Sequence, residues 1–224
     1  MPPDKPTPWG VVVPVKRLSA AKSRLQAYGD TARQQLALAF AADVVTAALR
    51  CPQVGRLLVV TDDPLAARTL AALGAVIVPD EPDDGLNPAV AYGADLLRVG
   101  VPGCGVVAVP SDLPALRAAD LDVALAAVPV GGRAFVADSE VRGTTLLAAA
   151  RGTTLAPAYG PSSRLRHLGS GAVELLASPA LRRDVDTPEH LVEALSLGVG
   201  PHTAAVVAEL RCFSLSPARC TMKP

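Results

Sequence analysis

The sequence predicts an α/β protein with a mostly parallel, mixed sheet that has helices on both faces. Short valine-rich runs alternate along the chain with longer stretches rich in alanine and leucine. Continuous apolar runs suit strands that are buried on both faces, and strands that alternate with helices are typical of parallel sheets. Half of the 224 residues are hydrophobic and only 3% are aromatic, so Ala, Val and Leu are expected to form most of the core.

The order of these runs predicts the elements and one domain. Predicted strands occupy residues 10–15, 56–61, 75–79, 105–110, 133–137 and 144–149, with a further one at 181–185. Predicted helices occupy residues 30–50, 64–73, 87–99 and 114–127. Since no repeat or Ser/Gly linker interrupts the pattern, residues 10–210 are expected to form a single domain. Residues 1–9 are expected to be a flexible leader, and 211–224, where periodicity is lost, a mobile tail.

Charge and composition exclude several classes of function. Twenty-one Lys and Arg residues balance 21 Asp and Glu residues, which argues against a general binder of nucleic acid or membrane surfaces. Any positively charged site must therefore be local. The sequence has no apolar run long enough to span a membrane. The four cysteines form no CxxC pair, so a zinc site is not indicated and a reducing, cytoplasmic location is expected.

Four cations follow the first predicted strand, in the segment VVVPVKRLSAAKSRL: Lys16, Arg17, Lys22 and Arg24. Ligands of open α/β sheets bind beyond the carboxyl ends of the strands. The segment contains neither the glycine fingerprint of dinucleotide-binding proteins nor a P-loop. Its cations are suited to the phosphates of a nucleoside triphosphate. The alternative is a solvated loop in which a helix begins at Ser19.

Three aspartates indicate a site for Mg²⁺. Asp112 follows the fourth predicted strand in SDLPAL, and Asp184 and Asp186 lie two residues apart in RDVDTP. In an extended segment such a pair points to the same side. Carboxylate oxygens are the ligands that Mg²⁺ prefers. Alternatively, Asp112 begins a turn, and Asp186 or Thr187 caps a helix that begins at the next proline.

Hydroxyl and amide side chains mark a second binding region. The segment GPSSRLRH predicts a turn that opens a helix, where backbone amides and the hydroxyls of Ser162 and Ser163 would hold a phosphate or carboxylate, and Arg164, Arg166 and His167 would add positive charge. The alternative is a plain surface helix capped by serine. Thr144 and Thr145 stand at the start of the sixth predicted strand. Asn87 follows the third strand, where its amide would either read the edge of a base or cap a helix.

The order of these motifs resembles that of a known family. KRLSAAKSRL, GLNPA, SDLPAL, GTT, GPSS and RRDVDTPEHL are similar to the corresponding segments of the guanylyltransferases of coenzyme F-420 biosynthesis. The resemblance extends over residues 11–206. It implies a nucleotidyltransferase fold of the GT-A kind, with GTP as the nucleotide. It further implies phosphoenolpyruvate as the acceptor in bacterial members and 2-phospho-L-lactate in archaeal ones, and the actinobacterial style of this sequence favours phosphoenolpyruvate.

The resemblance also assigns roles to residues. It implies phosphoenolpyruvate contacts at Thr144, Gly160 and Ser163, with the neighbouring Thr145 and Ser162 left open. It implies metal ligation by Asp112, Asp184 and Asp186, with two Mg²⁺ ions. Lys16, Arg17, Lys22 and Arg24 are expected to bind the nucleotide together with Asn87. Lys16, Lys22, Arg24 and Asp112 are expected to act in catalysis.

Three alternative functions would each require a different set of residues. A molybdopterin nucleotidyltransferase would begin with a Gly-rich loop, and an oxidoreductase would carry a glycine fingerprint; the chain has neither. A non-catalytic nucleotide-binding module would need the cations but not the three aspartates. A downstream enzyme that accepts the unstable product is an expected partner.

Overall fold

The computed structural model describes residues 8–81 and 83–215. One seven-stranded sheet forms its centre, with the strands in the order β3-β2-β1-β4-β6-β5-β7. The strands are β1 (Trp9–Pro14), β2 (Val54–Val60), β3 (Val76–Val78), β4 (Gly105–Ala108), β5 (Arg133–Ala137), β6 (Thr144–Ala149) and β7 (Val173–Glu174). β1 pairs in parallel with β2 and β4, and β6 runs antiparallel to both β4 and β5. The predicted mixed, mostly parallel sheet is confirmed.

Helices cover both faces of this sheet. They are α1 (Asp30–Leu49), α2 (Pro64–Ala72), α3 (Leu86–Gly100), α4 (Ala118–Ala126), α5 (Ser163–Gly169), α6 (Pro179–Arg182), α7 (Pro188–Leu197) and α8 (Pro201–Leu215). A 3₁₀ helix, Ser23–Tyr28, precedes α1. Within the described ranges, no helix is long and apolar enough to cross a membrane.

The core follows the alternation of side chains along the strands. Val11 and Val13 of β1 pack with α1, α2 and α4 on one face, whereas Val12 packs with α3 on the other. All three valines are fully buried. A smaller cluster joins α1, α7 and α8 around Phe40. Burial on both faces accounts for the continuous apolar runs in the sequence.

Several predicted elements needed correction. Residues 181–185 form no strand, because Ser178 and Pro179 begin the short helix α6, where the Ser178 hydroxyl accepts a hydrogen bond from the Leu181 amide. The two-residue strand β7 was not predicted. Helix α4 begins at Ala118 rather than at residue 114. Helix α8 extends to Leu215, so residues 211–215 of the predicted tail are helical; the remainder, like most of the predicted leader, lies outside the described residues.

The topology fixes the edge of the sheet at which a ligand would bind. From β1 the chain crosses to β2 and β3 on one side and then returns to β4 on the other side. The carboxyl ends of β1 and β4 therefore flank a crevice, which is the usual ligand site in such sheets. Because β6 is antiparallel to β4, its first residue, Thr144, lies at this same edge.

Candidate active site

The cation-bearing loop after β1 is held in shape by Arg33 and Asp63, which bind its backbone. Arg33 of α1, itself buried, donates hydrogen bonds to the carbonyl oxygens of Leu18, Ser19 and Ala21. Asp63 accepts a hydrogen bond of 2.8 Å from the Leu18 amide. These contacts use the loop backbone, and the side chains of Lys16, Arg17 and Arg24 remain exposed to solvent and ligand. The predicted helix beginning at Ser19 does not form.

A cavity of about 640 Å³ opens over this loop at the edge of the sheet. Its wall includes the four predicted cations, Lys16, Arg17, Lys22 and Arg24, together with two of the predicted aspartates, Asp112 and Asp186. Asp62, Asp80 and Asp83 and the start of α3 also line the cavity. A volume of this size is adequate for a nucleotide.

The two aspartate motifs are brought together by one backbone contact. The amide of Val185 donates a 2.9 Å hydrogen bond to the carbonyl of Asp112. Val185 is fully buried in the cluster around Phe40, so Asp184 and Asp186 on either side of it point the other way, as the period of two predicts. Thr187 caps α7, which leaves the Asp186 carboxylate free for the site.

Lys22 is the cation that binds these carboxylates. Its Nζ atom lies 2.6 Å from Asp112 Oδ2 and 2.7 Å from Asp186 Oδ1, with only 12% of its side chain exposed. Lys22 has a positive φ of 53°, a conformation that is costly for a residue other than glycine. By contrast, Arg17 and Arg24 are largely exposed and lie 3.9 and 4.0 Å from Asp62 and Asp186. Lys16 is exposed as well.

The proton affinities of these groups differ with their surroundings. Burial by itself would lower the pKa of Lys22, but the charges of Asp112 and Asp186 outweigh burial, and the pKa of Lys22 is raised. Burial would raise the pKa of Asp186, yet Lys22 outweighs it and holds that pKa below its usual value. For Asp184, burial and the charges of Asp112 and Asp186 act together and raise the pKa to about 7.

Two carboxylate oxygens of this group have no partner and are suited to bind a divalent cation. Asp112 Oδ1 and Asp184 Oδ1 are both buried and have no hydrogen-bond partner. Such atoms are costly unless a cation or water satisfies them. Within residues 8–81 and 83–215, no three His, Cys, Asp or Glu side chains are already arranged as metal ligands. The ammonium of Lys22 lies between Asp112 and Asp186, so metal ligation by this set requires Lys22 to move.

The residues predicted to contact the acceptor form a compact, buried group. Thr144 Oγ1 lies 3.1 Å from Ser163 Oγ and 2.9 Å from His167 Nδ1. Thr144 is 7% exposed and Ser163 1%. Gly160 precedes α5 with a φ of 113°, and its carbonyl accepts a hydrogen bond from the Ser163 amide. The structure therefore places Thr144, Gly160 and Ser163 together. Within the described part of the chain, no hydrogen bond joins Ser162 to these residues.

The expectation that the start of α5 offers free amides is wrong. The Ser163 amide is used by Gly160, and the Arg164 amide donates to the carbonyl of Arg142. The positive charge of this segment is also engaged, because Arg164 pairs with Glu174 at 2.8 Å and Arg166 binds the carbonyl of Tyr159. An anion in this region would therefore be bound by side chains rather than by the helix terminus.

Asn87 is occupied by the protein backbone. Its Oδ1 accepts a 2.7 Å hydrogen bond from the Tyr159 amide, and its Nδ2 donates to the Tyr159 carbonyl at 3.1 Å. These contacts tie α3 to the segment that precedes α5. The predicted part of Asn87 in base recognition stays a prediction. The alternative of a helix cap is not observed, because α3 begins at Leu86.

Two polar residues near the site, Arg33 and Asp138, were not predicted, and His167 was expected to add positive charge rather than to bind Thr144. Arg33 supports the cation-bearing loop, and His167 binds Thr144. Asp138, at the end of β5, accepts hydrogen bonds from the amides of Arg142 and Gly143 at 2.8 and 2.7 Å and shapes the loop that leads to β6. Each is an isolated polar residue whose partners are far away or of common type in the sequence. No local pattern distinguished them from surface residues.

Comparison with known proteins identifies the family of this fold and site. The family model described as "Guanylyl transferase CofC like" matches residues 9–223. The chain belongs to this family. A curated phosphoenolpyruvate guanylyltransferase from Thermomonospora curvata is 55% identical over 208 residues, which cover 92% of this chain and 91% of that protein. The predicted resemblance to the guanylyltransferases of coenzyme F-420 biosynthesis is confirmed.

Solved structures agree on the fold of this CofC-like chain. A Desulfovibrio desulfuricans protein described as a nucleotide-diphospho-sugar transferase superposes with a TM-score of 0.65 at 16% identity, covering 92% of this chain and 97% of that one. A Mycobacterium tuberculosis protein solved in complex with manganese gives a TM-score of 0.53 at 22% identity, covering 85% and 98%. The predicted nucleotidyltransferase fold is therefore confirmed.

Proposed function

We propose that this CofC-like guanylyltransferase transfers GMP from GTP to phosphoenolpyruvate in coenzyme F-420 biosynthesis, acting in the cytoplasm. The observation that carries the proposal is the single cavity wall that holds four cations and two of the aspartates. This combination suits a triphosphate together with a divalent cation. The acceptor is inferred from relatives of this chain named phosphoenolpyruvate guanylyltransferase, with identities up to 55%.

The proposed reaction is an in-line displacement at phosphorus. An oxygen of the phosphate group of phosphoenolpyruvate attacks the α-phosphorus of GTP, and the bond between that phosphorus and the oxygen bridging to the β-phosphate breaks. Pyrophosphate leaves and enolpyruvyl-diphospho-guanosine forms. Since a phosphate monoester is largely ionised at neutral pH, the attacking oxygen needs no general base. Catalysis then depends on positioning and on neutralising charge.

The protein supplies this neutralisation from two sides. Lys16, Arg17 and Arg24 are exposed in the cavity wall and are proposed to bind the phosphates of GTP. Lys22 now binds Asp112 and Asp186. If Asp112 and Asp186 held a metal in its place, Lys22 would be free to bind the phosphates, and we propose this role for it. The acceptor is proposed to lie on the side of Thr144, Gly160 and Ser163.

Asp112, Asp184 and Asp186 are proposed to hold Mg²⁺, with two ions as the expected number. The unpartnered oxygens of Asp112 and Asp184 support this assignment. When bound, Mg²⁺ would neutralise the anionic phosphates and stabilise the departing pyrophosphate.

The decisive experiment measures pyrophosphate release from GTP and Mg²⁺ with phosphoenolpyruvate and, in parallel, with 2-phospho-L-lactate. Release with phosphoenolpyruvate alone is the expected result. Release with 2-phospho-L-lactate alone would keep the reaction and change the acceptor. If neither acceptor supports release while GTP still binds, the protein is a nucleotide-binding module and the proposal is wrong.

A further inference from the structure

His167 is a fully buried histidine at the acceptor side of the site, and both of its ring nitrogens have partners. Its Nε2 atom lies 3.1 Å from the backbone nitrogen of Ala158, and its Nδ1 atom lies 2.9 Å from Thr144 Oγ1. The ring also packs against Phe135 and, edge-on, against Tyr159, with centroids 5.7 and 5.5 Å apart. The orientation of the ring is therefore fixed on every side.

The contact with Ala158 determines where the ring proton lies. A backbone amide is only a donor, so Nε2 must accept, and the proton of the neutral ring is on Nδ1. An imidazolium would place two N–H groups against each other. Burial, with the charges of Arg133 and Arg166, lowers the pKa of His167 to about 4, so the ring is neutral near pH 7. Nδ1–H therefore donates to Thr144 Oγ1.

These contacts leave the Thr144 hydroxyl able to donate, but not to accept, a further hydrogen bond. Ser163 Oγ donates to Thr144 Oγ1 at 3.1 Å, and His167 donates to the same oxygen. Both lone pairs of that oxygen are then occupied. The hydroxyl proton of Thr144 has no acceptor within this group, so it is available for a group outside it. A hydroxyl prepared in this way favours a partner that only accepts, such as a carboxylate or phosphate oxygen.

The pairing of the strands places Thr144 near the carboxyl end of β4. Ala108 of β4 is opposite Leu147 of β6. Because the two strands are antiparallel, Thr144, three residues before Leu147, lies beyond this pair in the direction of Asp112. Thr144 also pairs with Ala137, the residue before Asp138. The hydroxyl group is therefore at the edge of the sheet that carries the carboxylates.

We propose that His167 is a positioning residue, which acts through Thr144 to set that hydroxyl as a fixed donor to the anionic acceptor. The inference rests on the proposed function, because it assigns the acceptor to the side of Thr144. It adds a requirement to the site: the acceptor must present a carboxylate or phosphate oxygen to a neutral donor.

Four variants test this coupling by the KM values for phosphoenolpyruvate and GTP. His167→Phe keeps a ring but removes the donor, and Thr144→Val removes the hydroxyl; each is expected to raise the KM for phosphoenolpyruvate about tenfold and that for GTP less than about twofold. His167→Asn, which retains a donor near the position of Nδ1, is expected to restore most of the loss. In the double variant, His167→Phe should add nothing to Thr144→Val, because both act on one hydrogen bond.

His202→Phe, a histidine at the start of α8 outside the site, serves as the matched control and should leave both KM values unchanged. An equal rise of both KM values, a failure of His167→Asn to restore binding, or a full additional effect of His167→Phe on the Thr144→Val background would overturn the inference. Wild-type protein that releases no pyrophosphate with either acceptor would overturn the proposed function, and the inference with it. Wild-type activity together with unaffected variants would overturn the inference alone.

Discussion

The three aspartates of the site are chemically alike but have different surroundings. Lys22 binds one oxygen of Asp112 and one of Asp186, whereas Asp184 has no described hydrogen-bond partner for its buried Oδ1. The uncompensated carboxylate is therefore the one that gains most from a cation. This difference comes from the position of one lysine side chain, and it makes Asp184 the most informative position for substitution.

Asp184→Asn is expected to change the pH dependence of stability in metal-free protein. The folded-state pKa of about 7 exceeds the ordinary value of 3.8, so the folded state binds the proton more tightly than the unfolded state. The contribution of Asp184 to the free energy of unfolding therefore falls as pH rises from about 4 to about 7. At pH 8 the variant should be more stable than the wild type by up to roughly 4 kcal/mol, because one pKa unit corresponds to about 1.4 kcal/mol. Urea unfolding at pH 5 and pH 8 measures this difference, with Asp95→Asn, an exposed carboxyl, as control.

The same variant is expected to lose catalysis while it keeps its fold. Removing a carboxylate ligand should lower the rate of pyrophosphate release by about 100-fold or more, since charge neutralisation drives the reaction. Rates over a range of Mg²⁺ concentrations measure the loss. Near-normal turnover at ordinary Mg²⁺ would refute the role of Asp184 as a metal ligand.

At the scale of elements, hydrogen bonds join α1 to α8, two of the helices that form the cluster around Phe40. Asp43 of α1 is 3% exposed and accepts hydrogen bonds from the amides of His202 and Thr203, at 3.0 and 2.9 Å, at the start of α8. A carboxylate at a helix N-terminus accepts hydrogen bonds from the free amides there and interacts favourably with the positive end of the helix dipole. One side chain thus joins two helices that lie far apart in the sequence.

Asp43→Ala is expected to lower the free energy of unfolding by about 3 kcal/mol, because it leaves two amides without acceptors in a buried position. Chemical denaturation monitored by circular dichroism measures the change. Asp95→Ala removes a carboxylate that is 77% exposed in its ion pair with Arg98 and should cost less than about 1 kcal/mol. A loss below about 1 kcal/mol for Asp43→Ala would show that this cap contributes little.

At the scale of the molecule, the proposed nucleotide site and the proposed metal site share one cavity. Its cations attract the triphosphate, while Asp112 and Asp186 on the same wall repel it. A divalent cation held by these carboxylates would offset that repulsion. The two ligands are therefore expected to bind cooperatively.

The combination of Mg²⁺ and GTP is expected to raise the melting temperature by about 5–10 °C at a ligand concentration near 100 times Kd, and either ligand alone by much less. Differential scanning fluorimetry with each ligand and with both measures the effect. In Asp112→Asn the cooperativity should shrink. Equal shifts with GTP in the presence of Mg²⁺ or EDTA would contradict a shared site.

The sequence by itself determined most of the elements and the edge of the sheet at which the candidate site lies. Continuous apolar runs identified six of the seven strands, although the further strand predicted at residues 181–185 was wrong. The alternation in RDVDTP placed Asp184 and Asp186 on one side, because an extended backbone turns successive side chains to opposite faces. The order of the motifs indicated the family. These features are local, or depend on order along the chain.

Only the tertiary structure decided which of these residues are in contact. Lys22 meets Asp112 and Asp186 across 90 and 164 residues of sequence, and Asn87 meets Tyr159 across 72. His167 and Arg33 have no local signature, since a buried polar residue looks like an exposed one until its partners are placed. Long-range hydrogen bonds depend on the packing of the sheet and helices. For this reason the hydrogen bonds, the burial and the protonation of these side chains could be read only from the folded chain.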